Sequence, residues 1–149
     1  MLQYLPLKFL VRGLMELKNL IELALEAKDR STYTPYSHFR VGAAVEMEDG
    51  SVYTGGNIEI ASYSPTNCAE RTAIFKAVSE GKREIKKIVI TGDAKNTFPC
   101  GVCRQVIREF SENPMIVVAN SVDDYKVYTL EELLPHSFGP EYLKRGNDV

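Results

Sequence analysis

The sequence predicts an α/β domain in which a mixed, roughly five-stranded sheet is layered with helices. Three observations carry this reading. The segment MELKNLIELALEAKDR from Met15 places apolar residues at helical spacing. Phe39 to Met47 alternates with period two and runs through Asp49-Gly50, a strong hairpin signal, into SVYTGGNI. From Lys87 to Ala119 the pattern passes from strand to helix to strand. A hairpin supplies an antiparallel pair and a right-handed crossover supplies a parallel one, so the sheet is mixed.

Each element has a local cause. In the first helix Leu17, Leu20, Ile21, Ala24 and Leu25 form one apolar stripe with charges between them. The two strands of the hairpin follow. Asn67 to Glu80 then puts Ala73, Ala77 and Val78 on a helical face, and Gly81 is its C-terminal stop. KIVIT, Lys87 to Thr91, is a short apolar run suited to a buried strand. Pro99-Cys100 opens a helix over Gly101 to Phe110, and MIVVA, Met115 to Ala119, is the next strand. Tyr125 to Tyr128 adds a last strand, and Thr129 with Glu132 spells a capping box for a short helix.

At 149 residues with no Pro/Gly/Ser-rich linker, the chain reads as one domain, residues 15–149, behind an N-terminal extension, residues 1–14. The extension is apolar and slightly basic. Lys8 and Arg12 interrupt a run too short to span a bilayer, and no small-residue cleavage site follows, so it reads as a loosely packed or non-native segment, and no membrane partner is expected. A net charge of −2 offers no basic footprint for a phosphate backbone, which argues against a nucleic-acid partner. Three cysteines, an odd number, argue against a disulfide framework and for the reducing cytoplasm.

The chemistry concentrates in FPCGVCRQ, Phe98 to Gln105. Cys100 and Cys103 by themselves fit a redox dithiol as well as half of a zinc site. Cys68 and Glu70 bear on the choice. Cys68 opens the second helix as Cys100 opens the third, and helix N-termini favour the thiolates that zinc requires. Three thiolates would leave the fourth tetrahedral position open for water, as catalytic zinc sites do. Glu70, two residues after Cys68, would stand beside that water as a proton carrier. A thioredoxin-like protein has no need of Cys68 or Glu70, and the chain has no tryptophan. The bland reading is that the cysteines are small buried hydrophobes and Glu70 is a solvated helix residue. His38 and His136 lie at no ligand spacing and read as surface or hydrogen-bonding residues.

A ligand, one residue, Glu, and then P-C-x-x-C is the pattern of zinc deaminases. With TPYSHFRVGAAV, NIEIASY, NCAERTAIFKAVSEG, PCGVCRQVIREF and EELLPHSF, the chain resembles the small zinc-dependent cytidine deaminases from about Met15 to Leu143. The resemblance implies a three-layer α-β-α fold, one Zn²⁺ per chain on Cys68, Cys100 and Cys103, and Glu70 as the proton shuttle. It implies hydrolysis of cytidine and 2′-deoxycytidine to uridine and 2′-deoxyuridine with release of ammonia, by attack of zinc-bound hydroxide on C4. It places Asn57 and Glu59 on the ribose 3′-hydroxyl, Phe39 on the pyrimidine, and Phe138 in a neighbouring subunit's site within a homotetramer. On composition alone Asn57 and Glu59 would be a solvated turn and Phe39 a core residue. Ile60 stands where NIENA-type relatives carry an amide. Arg71 and Arg104, adjacent in sequence to site residues, are candidates to offset the negative charge of three thiolates on one zinc. The rival readings are a deaminase of a related aminated nucleoside such as blasticidin S, and a non-enzymatic module that zinc merely stabilises.

Overall fold

The computed structural model describes residues 16–143. The expected extension, residues 1–14, lies outside them. The element order is α1 (Leu17–Arg30), β1 (Val41–Met47), β2 (Val52–Gly56), α2 (Ala69–Ser79), β3 (Ile85–Gly92), α3 (Gly101–Glu109), β4 (Met115–Ser121), β5 (Asp124–Tyr128) and α4 (Leu130–Leu133), followed by a 3₁₀ turn at Pro140–Tyr142. The five strands form one sheet in the order β2-β1-β3-β4-β5. β3 and β4 run parallel and the other neighbouring pairs are antiparallel. The sheet is mixed because α3 carries the chain over between two strands that point the same way.

Strand periodicity assigns the faces. On one face Ala44, Val89, Val117 and Ala119 bury against Leu20, Ile21 and Ala24 of α1. On the other, Ala43, Val45, Met47, Ile88, Ile90 and Ile116 bury against Ala69, Ala73, Ile74 and Ala77 of α2, with Ile107 of α3 and Leu130 and Leu133 of α4. Neighbouring strand residues serve opposite cores because side chains alternate across a sheet. The result is a three-layer α-β-α sandwich. Truncating one fully buried isoleucine such as Ile90 would cost about 2–5 kcal/mol through lost burial and the cavity left behind.

Two glycines are dictated by geometry. Gly50 closes the hairpin at φ +86°, a conformation disfavoured by a Cβ, where Met47 and Ser51 pair across the turn. Gly55 lies under the first turns of α2: a Cβ there would stand 2.6 Å from the Ala73 nitrogen and 2.8 Å from the Ala69 carbonyl oxygen. That close approach seats the N-terminus of α2, which carries Cys68, directly on β2. The capping box at α4 forms, with Glu132 N–H donating to Thr129 Oγ1 and the Glu132 carboxylate accepting from the Thr129 N–H. Among the described residues no helix is long and apolar enough to cross a membrane.

Candidate active site

Cys68 is the N-cap of α2 and Cys100 the N-cap of α3, both in extended backbone conformation. Cys103 lies in the first turn of α3, fully buried. Residues three apart on a helix share a face, so Cys103 looks toward the same point as Cys100. The three Sγ atoms all lie within 4.8 Å of one another, and those of Cys68 and Cys100 are 3.7 Å apart. Two Zn–S bonds of about 2.3 Å at a tetrahedral angle span about 3.8 Å, so Cys68 and Cys100 stand at the separation one zinc ion requires, with Cys103 close by. All three cysteines are free.

The electrostatics of the cluster fit a cation as well. Hydrogen bonding from Cys103 lowers Cys68 to about 5, with further help from Arg71 and Cys100. The same bond, with burial and the Glu70 charge, pushes the Cys103 thiol up. Thiols packed this closely cannot all ionise without a positive charge among them, and a divalent metal supplies one. Arg71 supplies part of it from outside: its Nη2 donates to Cys68 Sγ at 3.4 Å, while its buried Nε has no hydrogen-bond partner among the described residues.

Glu70, in the first turn of α2, is only 3% exposed. Burial pushes its carboxyl up to about 7, opposed by a hydrogen bond with Cys103. Arg104 is turned another way. Its Nε donates to the Pro99 carbonyl at 2.8 Å and its Nη1 to the Leu133 carbonyl at 2.6 Å, tying the Cys100 turn to α4.

Phe39, Asn57 and Glu59 meet where β1 begins and β2 ends. The Asn57 amide bridges two backbone groups, donating to the Phe39 carbonyl at 2.9 Å and accepting from Val41 N–H at 2.8 Å. Glu59 Oε1 accepts from Tyr36 N–H at 3.0 Å and Ser37 N–H at 3.1 Å. Hydrogen bonding from Ser37, led by its side chain, holds Glu59 below the usual carboxylate range, so it is an anion at neutral pH. Phe39 itself is 38% exposed and so is not a core residue. Ile60 is similarly exposed, and its N–H donates to Thr66 Oγ1. Phe138 is more than half exposed and stacks on Tyr142 with ring centroids 5.0 Å apart. Gln105 of α3 donates to the Phe138 carbonyl at 2.7 Å, and Arg108 bonds Ser137 and Glu141. Gln105, Arg108 and the Ser37 turn carried no sequence signal of their own, because a polar residue on a helix surface or in a turn looks alike whether or not it holds another segment.

A three-layer α-β-α fold with three convergent thiols at the N-termini of two helices defines a protein built to hold one metal ion at that point. Residues 15–119 match the family model of the cytidine and deoxycytidylate deaminase zinc-binding region, and the chain belongs to that family. A cytidine deaminase from Halalkalibacterium halodurans is 47% identical over 129 residues, covering 85% of this chain and 97% of that protein. One from Sporosarcina psychrophila is 46% identical over 131 residues, covering 87% and 96%. Among solved structures, the cytidine deaminase of Burkholderia pseudomallei superposes with a TM-score of 0.76 at 40% identity, covering 83% of this chain and all of that one.

Proposed function

We propose that this chain deaminates cytidine and 2′-deoxycytidine hydrolytically, giving uridine or 2′-deoxyuridine and ammonia. The observation that carries the reading is the convergence of three Sγ atoms within 4.8 Å, beside the buried carboxyl of Glu70. Cys68, Cys100 and Cys103 would hold one Zn²⁺, which when bound would supply an acidified water as the nucleophile for C4 of the ring. Glu70 takes the water's first proton and passes it to ring N3; it then takes the remaining proton from the oxygen now on C4 and delivers it to the amino nitrogen, so that the C4–N bond breaks, ammonia leaves and C4 becomes a carbonyl. Cytosine loses ring conjugation as C4 becomes tetrahedral, so a proton delivered to N3 in the same movement stabilises the transition state rather than the bound substrate. Arg71 donates to the Cys68 thiolate and withdraws charge from the ligand set. Arg104 keeps the Cys100 turn in place through Pro99.

Phe39 packs on the pyrimidine, and Asn57 with Glu59 receives the ribose 3′-hydroxyl. Phe138 completes the site of a neighbouring copy in a cytoplasmic homotetramer whose folded unit is residues 15–149, with residues 1–14 as an extension. Support for these roles comes from the family relationship, together with the partial exposure of both phenylalanines. The test is ammonia release and the ultraviolet change on incubation with cytidine, 2′-deoxycytidine and cytosine, alongside metal analysis. Zinc near one per chain with nucleoside turnover is the expected result; a zinc-replete protein that turns over neither nucleoside overturns the reading.

A further inference from the structure

The chain just ahead of β1 is held on both sides by side chains rather than by a regular ladder. On the β2 side the Asn57 amide grips the Phe39 carbonyl and Val41 N–H. On the β3 side Arg40 N–H donates to Asp93 Oδ2 at 2.8 Å, and Asp93 N–H returns a bond to the Arg40 carbonyl at 3.0 Å. The Arg40 guanidinium forks the same carboxylate, Nε to Oδ2 at 3.2 Å and Nη2 to Oδ1 at 3.0 Å. Its Nη1 reaches Asp29 in the last turn of α1 at 3.4 Å, and Lys28 Nζ stands 3.8 Å from Asp93 Oδ1. Asp93 therefore joins the start of β1, the end of β3 and the end of α1.

Surface ion pairs contribute little to stability, and Arg40 is 42% exposed, so stability alone is a weak reason for so much fixed geometry. Orientation is a stronger one. A bidentate fork, with the Arg40 N–H on the Asp93 carboxylate and the Asp93 N–H on the Arg40 carbonyl, restrains Arg40 at backbone and side chain alike, and Phe39 is the residue before it. Asp93 also immediately follows Gly92, the last residue of β3, on the stretch of chain that leads to Cys100. One carboxylate thus ties Arg40, the residue after Phe39, to the end of β3, from which residues 93–99 lead to Cys100.

We infer that Asp93 is a positioning residue for the substrate ring, fixing where Phe39 stands relative to the three thiols. The inference rests on Phe39 being the pyrimidine contact, as proposed above. Its consequence is separable from catalysis: loosening the clamp weakens nucleoside binding and leaves the proton-transfer machinery in place, since a displaced binding group affects ground state and transition state alike.

The experiment compares the zinc-loaded wild type with Asp93→Asn, Arg40→Gln and the double variant, measuring KM and kcat for cytidine, uridine binding by calorimetry, zinc content and melting temperature. Asp93→Asn should raise KM and the uridine Kd by about tenfold or more while kcat stays within about threefold and zinc stays near one per chain. Arg40→Gln removes the fork but leaves the backbone N–H of residue 40 on the Asp93 carboxylate and its carbonyl on the Asp93 N–H, so it should give a smaller rise in the same direction, and it serves if Asp93→Asn folds poorly. The double variant should be no worse than Asp93→Asn in KM and Kd, because the Arg40 fork acts through the Asp93 carboxylate, and the bond from Arg40 to Asp29 leads away from Phe39. Unchanged KM and Kd in folded variants, or a loss that tracks zinc content and melting temperature instead, would overturn the inference. A wild type that does not turn over cytidine would remove the reading beneath it, an outcome visible before any variant is made.

Discussion

Cys68 and Cys100 are 32 positions apart in the chain, yet their sulfurs stand 3.7 Å from each other. Each caps a helix, so the positive ends of two helix dipoles meet where the thiols meet. Replacing Cys100 with Ser should reduce zinc well below one per chain, read by metal analysis after gel filtration. Chelation of the wild type should lower the melting temperature without unfolding the protein, because the two apolar cores are built from sheet and helix faces and include none of the three cysteines. A ligand present at a hundredfold its dissociation constant stabilises by about 2.7 kcal/mol, a shift of several degrees at this chain length. Full zinc in Cys100→Ser would exclude this ligand set.

Glu70→Gln keeps the size of the buried side chain and removes the proton. Turnover of cytidine should fall by at least about 10²-fold, the usual scale for a lost general acid/base, with zinc content unchanged. Both readouts matter, since a fall in zinc would assign the residue to holding the site rather than to moving protons.

Gly55 reports on how α2 is seated. In Gly55→Ala the new Cβ would meet backbone atoms of α2 at 2.6 and 2.8 Å, and backbone cannot rotate aside as a side chain can. Overpacking of this kind costs about 1–3 kcal/mol, measurable as a lower midpoint in urea. Because the displaced turn begins at Cys68 and Glu70, zinc affinity measured by competition with a chelator should weaken too. Reduced stability with unaltered zinc affinity would show that α2 moves without carrying its N-terminus.

Much of this arrangement could be read from the sequence. Both helix openings at cysteine, the parallel pair around α3 and the Thr129–Glu132 box follow from local patterns, and each has its counterpart in the structure. The expected strand from Phe39 begins instead at Val41. Period-two alternation cannot distinguish a residue paired by a neighbouring strand from one paired by Asn57 and Asp93 side chains, which is how Phe39 and Arg40 are held. Asp93 was illegible for the same reason: an aspartate after KIVITG looks like a turn residue until the fold brings Arg40 beside it. The different employment of Arg71 and Arg104 was also beyond sequence, because it depends on where each helix face points.

The hairpin supplies a pH prediction independent of the metal. Asp49 is held well below the usual carboxylate range by hydrogen bonds from Lys82 first and then Ser51. A carboxylate whose folded pKa lies below its unfolded value of about 3.9 stabilises the fold above that value, and the contribution is lost as pH falls through the folded pKa. Asp49→Asn should therefore melt below the wild type at pH 6, and the difference should shrink as the pH is lowered from about 4 toward 2. A difference independent of pH would mean that the turn needs the side chain's shape and not its charge.

The last prediction concerns what the pocket accepts. Asn57 uses one donor and one acceptor on the backbone around Phe39, and an amide retains a second N–H and a second lone pair. Both backbone bonds to Glu59 fall on Oε1, and the Ser37 side chain adds a third to the carboxylate, which can accept about four in all. A sugar hydroxyl can thus be bound without dismantling the clamp, and a hydrogen bond to a charged group contributes about 1.5–3 kcal/mol. Free cytosine forfeits that contribution, whereas a 5′-phosphate brings negative charge toward the Glu59 anion. Cytidine and 2′-deoxycytidine should accordingly exceed cytosine and cytidine monophosphate in kcat/KM by at least about tenfold, equivalent to about 1.4 kcal/mol. Steady-state kinetics on the four compounds checks it. Equal efficiency for nucleoside and monophosphate would place the sugar's 5′ end away from Glu59, and a preference for cytosine would remove Asn57 and Glu59 from recognition altogether.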